Sequence, residues 1–172
     1  MSLQIKGGIK PAFSTWFVWA LLTIANCLTY SAVSKHWTES LNVWGAVAMN
    51  CSVFLIALVS RNYKPLRLVD YTIIVGGLLG ITLYLTCPKG PLPNLIVCAC
   101  IFLSILPTLD GLKRRNGKEN ATAWLLIALS YFFFIGVIFV RKEVGWNLVY
   151  QLVGIATNGA VWIAARKTSR EK

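Results

Sequence analysis

Chemistry has few places to start in this 172-residue chain. It holds one histidine, His36, and five cysteines, Cys27, Cys51, Cys87, Cys98 and Cys100, beside six acidic residues. A metal centre or an activated thiol needs several such groups converging on one point. Cys98 and Cys100 stand two residues apart in an apolar run, so on a helix they face different sides and cannot grip a metal as a pair. Cys87 ends another run with no partner near it, and His36 sits beside Trp37 with no companion ligand. No carboxylate pair or activated nucleophile is visible, so the expectation is a protein with no cofactor, no metal and no enzymatic activity. What remains is amide chemistry. Asn50 and Asn158 each lie near the middle of a long apolar stretch, with Asn26, Gln151 and Thr157 as secondary candidates. Buried amides act either as hydrogen-bonding glue between helices or as the lining of a cavity for a polar solute. No Asp or Glu lies deep in an apolar stretch, which argues against a carboxylate proton relay.

The stretches that position these groups decide the class of protein. Hydrophobic residues make up 56% of the chain and charged residues 13%, where soluble domains run near roughly 45–50% and about 25%. Aromatics at 12% and long apolar runs exclude disorder. A bilayer core of about 30 Å needs about 20 largely apolar residues per helix. Six segments qualify, at 13–34, 41–60, 70–86, 92–110, 121–140 and 145–165, and none contains Lys or Arg. The connections are short. The expected fold is therefore an all-α, polytopic membrane bundle of six transmembrane helices, with 1–172 forming a single integral membrane domain. Asp70 is a candidate cap for the third helix, and Pro88, Pro91 and Pro93 punctuate the turn into the fourth.

The net charge of +11, from 17 Lys/Arg against 6 Asp/Glu, raises the prospect of nucleic acid. With six spans, thirteen of the basic residues fall on the side of the two termini and four, Lys35, Lys89, Arg141 and Lys142, on the other. The positive-inside rule then puts both termini in the cytoplasm of a cell membrane, as in a bacterial inner membrane. Charge spread over every connection, with no aromatic-interleaved stripe, excludes nucleic acid and leaves membrane lipids as partners. The densest cluster, Lys113, Arg114, Arg115 and Lys118, is either a topological anchor or a site for anionic lipid headgroups. Most tryptophans fall near expected interfaces, as in an aromatic belt. Asn120 and Thr122 form a glycosylation sequon on the cytoplasmic side. Gly76, Gly77 and Gly80 give the third helix a small face for close contact, within the fold or between protomers.

An offset of 108 residues lays the first two segments over the last two. Trp16 falls on Trp124 and Asn50 on Asn158, with Ser14 on Thr122, Val53 on Val161, Ala57 on Ala165 and Lys10 on Lys118. Small residues coincide easily in apolar helices, but two Trp and two Asn at one constant offset mark a parallel internal repeat about an axis along the membrane normal. The candidate substrate-binding set is Asn50, Asn158, Trp16, Trp124, Asn26 and Thr157.

This arrangement resembles the SWEET/PQ-loop superfamily, also called MtN3-like, a parallel-repeat transporter fold. Leu106, Pro107 and Thr108, the basic residues from Lys113, and Ala121 through Trp124 are similar to its Pro-Gln turn, basic loop and polar-then-Trp helix start, with Thr108 in place of the Gln. The run from Lys10 and Pro11 through Ser14, Thr15, Trp16 and Trp19 also resembles the start of a set of small bacterial multi-pass membrane proteins. The resemblance implies two triple-helix bundles and a linker, with 92–165 as the second bundle, 70–86 as the linker and 13–60 as a first bundle lacking its own first helix. It further implies that Asn50 and Asn158 line a central pocket, as an Asn on the third helix of each bundle does in sugar-transporting members. The function so implied is a small-solute transporter or transporter-like protein taking a polar small molecule, completed by homo-oligomerisation. The alternative is a non-transporting membrane subunit, scaffold or pore-forming effector. Single cysteines replacing Lys113 and Lys35 should react with an impermeant thiol reagent from opposite sides of the membrane; labelling from one side would contradict the sidedness.

Overall fold

The computed structural model describes residues 13–34, 37–38, 40–60, 66–87, 90–113 and 119–170. Lys10, Pro11, Lys35, Arg114, Arg115 and Lys118 lie outside them. Among the described residues, seven helices make six candidate membrane spans. They are α1 (Phe13–Tyr30), α2 (Leu41–Ser60), α3 (Leu68–Thr86), α4 (Leu92–Ser104), α5 (Leu106–Lys113), α6 (Ala121–Val140) and α7 (Asn147–Arg170). α4 and α5 form one span, Leu92–Lys113, broken at Ile105. Pro107 causes the break, since it has no N–H to return to the turn before it and its ring crowds that turn. The N–H groups of Thr108 and Leu109 both return to Ile105 O at 3.0 Å and restart the helix.

Helix ends use the side chains the sequence offers, with two changes of role. Asp70 holds the start of α3 from its third position, accepting the Arg67 N–H at 2.8 Å, and so completes the cap without being the cap residue. Asn120, the sequon residue, is the N-cap of α6, accepting from the N–H of Thr122 at 3.0 Å and of Ala123 at 3.3 Å. α1 ends at Tyr30, four residues short of the expected 34, because the N–H groups of Ala32, Val33 and Ser34 fold back onto Thr29 and Tyr30.

Hydrogen bonds between helix ends define how the spans alternate. Ser31, just past α1, meets Tyr84 near the end of α3 at 3.1 Å. Asn94 at the start of α4 meets Asn26 near the end of α1 at 3.0 Å. Arg141 at the end of α6 donates to Thr38 in the α1–α2 turn. One end of the bundle therefore gathers the α1–α2, α3–α4 and α6–α7 turns, with few basic residues. The other gathers Arg67, Lys113, Arg166 and Lys167. These are the basic-poor and basic-rich ends.

α1 packs against α2, α3 and α4, while α7 lies between α6 and the α4–α5 span. The glycines of α3 serve contacts inside the chain. A Cβ on Gly76 would run into Cys100 Sγ of α4, and one on Gly80 would lie 2.5 Å from Val97 Cγ2. The polarity of the molecule is inverted: Val59 is 78% exposed, Phe133 69% and Ile163 62%, while Asn26 and Gln151 are 0% exposed. In water, exposing each large apolar side chain forgoes about 1.5–3 kcal/mol. Ten such residues would outweigh the whole folding margin of about 5–15 kcal/mol. The outer surface is therefore one for lipid.

Burial matches the 108-residue offset at five pairs of positions. Val43, Asn50 and Ala57 are buried at seven-residue steps on α2, and so are Gln151, Asn158 and Ala165 on α7. Tyr131 and Ile138, buried on α6, correspond to buried Thr23 and Tyr30 on α1. A seven-residue stripe lets neighbouring helices run together at a shallow crossing angle. Gly154 keeps that contact close, for a Cβ there would run into the Tyr131 ring. Gly154→Ala should lower stability by about 1–3 kcal/mol in detergent unfolding, whereas Gly136→Ala, in open space, should leave it unchanged or slightly higher.

Candidate functional site

The interior is most polar where the α1–α2 pair meets the group formed by α4 to α7. Gln151, one turn into α7, links three helices. Its Nε2 donates to Tyr30 OH of α1 at 3.2 Å, and its Oε1 accepts from Asn42 Nδ2 of α2 at 3.0 Å. Tyr30 OH in turn reaches Asn147 O at the start of α7 at 3.5 Å. The Tyr30 ring packs against Tyr150, centroids 5.4 Å apart, and Tyr150 OH meets Tyr131 OH of α6 at 3.0 Å. Beside this cluster, Asn94 Nδ2 of α4 donates to Asn26 Oδ1 at 3.0 Å and Thr29 Oγ1 at 3.2 Å, both on α1. Together these bonds form a seam of amides and hydroxyls at the basic-poor end. The one carboxylate among the buried polar residues described, Asp70, sits away from it at the start of α3. An uncharged polar seam suits an uncharged partner, because an ion there would find no counter-charge.

Asn50 and Asn158 lie deeper. The Asn42–Gln151 bond sets α2 and α7 in register, and both helices run away from it toward the basic-rich end. Asn50 is eight residues beyond Asn42 and Asn158 seven beyond Gln151, or about 12 and about 10.5 Å of helix rise. The two amides therefore share a depth. No hydrogen bond joins them, and α2 and α7 have no extended contact. Asn158 Nδ2 turns back to Gly154 O at 2.7 Å. The Asn50 amide bonds to no described residue, yet it is absent from the enclosed unpaired atoms, so it borders accessible space.

The other candidates occupy distinct places. Thr157 is satisfied within its helix, donating to Val153 O at 2.8 Å. Trp16 is half-buried in the first turn of α1, ten residues or about 15 Å of rise from Asn26. Trp124 donates to Glu119 at 2.9 Å and packs against a second apolar cluster containing Ile105, Leu112, Val161 and Ala165. Pro107 makes the α4–α5 break, and Thr108 sits half-buried beside it. Lys113 is exposed at the end of α5. Above the seam, Trp37, Thr38, Arg141 and Glu143 line a cavity of about 300 Å³ between the α1–α2 and α6–α7 turns. No group of His, Cys, Asp and Glu that could hold a metal occurs among the described residues.

Asn42, Asn94, Asn147, Tyr30, Tyr131 and Tyr150 were not among the residues expected to matter. Most stand near helix ends, where polar and aromatic side chains ordinarily mark the membrane interface. One signal was present. Stepping back from Asn158 by seven and eleven residues along a helical face reaches Gln151 and Asn147. Asn94 carried no comparable pattern.

An inverted bundle of six apolar spans with its polar groups turned inward is a multi-pass helical membrane protein. Compared with known proteins, the chain matches no family model, no curated protein and no solved structure. In a double-mutant cycle of Asn42→Leu and Gln151→Leu, unfolding should show a coupling of about 0.5–2 kcal/mol; additive effects would contradict the bond.

Proposed function

We propose that this is a transporter-like membrane protein of SWEET/PQ-loop type that carries a small neutral polar solute between its two repeat-related parts. The observation that carries the reading is the seam: two amide clusters and three tyrosines, free of formal charge, lie between α1–α2 and α4–α7 beside the apolar core these helices share. The matched depth of Asn50 and Asn158 supports a second set of amide contacts in mid-membrane. The break at Pro107 and the place of α3, packed on both α1 and α4 as a linking helix would be, support the family reading. The proposed movement is a rocking of the two parts that exposes the seam to one side and then the other. No nucleotide site is visible in the sequence, so movement is passive or coupled to an ion.

One observation favours a second reading, a non-transporting subunit or scaffold. Gln151 and Asn94 spend their hydrogen-bonding groups largely on other residues of the chain. Flux measurements in proteoliposomes separate the two. With glycerol, glucose and acetamide as probes, wild type should exchange at least one of them. Asn50→Ala and Asn158→Ala should slow that exchange about tenfold or more at equal reconstitution. No flux with any probe, or variants equal to wild type, would contradict the proposal.

A further inference from the structure

At Asn26 the hydrogen bonding of the seam is incomplete. Asn26 and Asn94 are 0% and 1% exposed and lie on helices of different parts, α1 and α4. Asn94 is fully used: its Nδ2 donates to Asn26 Oδ1 and Thr29 Oγ1, and its Oδ1 accepts from Cys98 Sγ at 3.6 Å. Thr29 directs its own hydroxyl to Ala25 O at 2.9 Å. Asn26 Nδ2 is enclosed and meets no acceptor among the described residues. Turning the Asn26 amide over alone sets its NH2 against the Asn94 NH2, and turning both over encloses an Asn26 oxygen in place of the nitrogen, so Asn26 keeps one unpaired polar atom either way.

An enclosed donor without an acceptor costs about 1–3 kcal/mol. Holding Asn94 needs only the Asn26 Oδ1, so packing alone leaves the enclosed Nδ2 unexplained. The same side chain bonds Asn94 across the boundary between the two parts, and the neighbouring groups, Thr29, Asn94 and Cys98, carry no formal charge.

We infer that Asn26 and Asn94 form a solute-binding station, in which Asn26 Nδ2 donates to a hydroxyl or carbonyl oxygen of a neutral solute when the seam opens. The pair is held by a bond between the parts, so opening releases Asn94 Nδ2 as a second donor. The two donors then face each other across the opening and suit a solute with two neighbouring acceptor oxygens, such as a vicinal diol, bridging them. A solute with one acceptor, such as acetamide, uses half of the station. This inference rests on the transport reading and adds a site distinct from Asn50 and Asn158.

The test uses the purified full chain in nanodiscs. Thermal unfolding is recorded against increasing glycerol, glucose and acetamide for wild type, Asn26→Leu, Asn26→Ala and Asn50→Ala, and with choline as a charged control. The expected result is that glycerol or glucose raises the wild-type midpoint, acetamide does so more weakly and choline not at all. Asn26→Leu should need at least tenfold more solute than wild type for the same rise over its own solute-free midpoint. If Asn26→Leu does not fold, Asn26→Ala provides the same comparison of solute dependence. A response in either Asn26 variant equal to wild type, while Asn50→Ala loses it, overturns the station alone and assigns the amide to packing or to a resident water. No wild-type response to any neutral probe overturns the transport reading together with the station.

Discussion

A polar group inside a membrane has no water to fall back on, and this constraint organises the whole molecule. Each amide away from the bilayer surface must find a partner in the protein, or its helix is less stable in the membrane. Gln151 meets the constraint by reaching two other helices at once, Tyr30 on α1 and Asn42 on α2. Those contacts set the register of α2 against α7, and the register brings Asn50 and Asn158 to one depth. Had Gln151 been apolar, α7 would have kept its packing against α6 through Gly154 and Tyr131. Its alignment to the first two helices would have rested on apolar contacts such as those around Trp19.

The two kinds of contact divide the work. Within each helix pair, packing is apolar and close, with seven-residue stripes on α2 and α7 and a glycine admitting the Tyr131 ring. α3 adds a glycine face against α4 and α1. Between the pairs, contact at the basic-poor end adds neutral hydrogen bonds, worth roughly 0.6–2 kcal/mol each in a membrane, to the Tyr30–Tyr150 ring contact, the Arg141–Thr38 bond and the apolar core shared by α1 and α4. Dispersion contacts of a packed helix face are many and lost together, whereas a few hydrogen bonds can exchange one partner for another. The seam is thus the polar part of the boundary between α1–α2 and α4–α7, beside the apolar core that α1 and α4 share.

Much of this was legible in the sequence. Helices α2 and α6 begin and end at 41–60 and 121–140 as expected, since charged residues and a capping asparagine bound them. The 108-residue offset appeared first as matched Trp and Asn positions and recurs as matched burial on α2 and α7. The kink at Ile105 was written in Pro107, but only the hydrogen bonds of Thr108 and Leu109 display it. The seam itself was mostly hidden. Asn42 and Asn147 begin helices, and Asn94 is the third residue of one, so composition gave them the ordinary role of interfacial polar groups. Their convergence depends on which helices are neighbours, and that follows from packing of the whole bundle. The glycines of α3 left two readings open, and packing against Cys100 and Val97 selects the one inside the chain.

The central claim is that the two parts separate along the seam to pass a solute, and holding the seam shut tests it most directly. Cysteines at positions 42 and 151, in a chain whose five native cysteines are replaced, can be joined by a short thiol-specific cross-linker. Glycerol or glucose exchange is then followed in proteoliposomes before cross-linking, after it and after reductive release. The account predicts normal exchange, then loss to the level of protein-free vesicles, then recovery. Unchanged exchange in the fully cross-linked protein would contradict it.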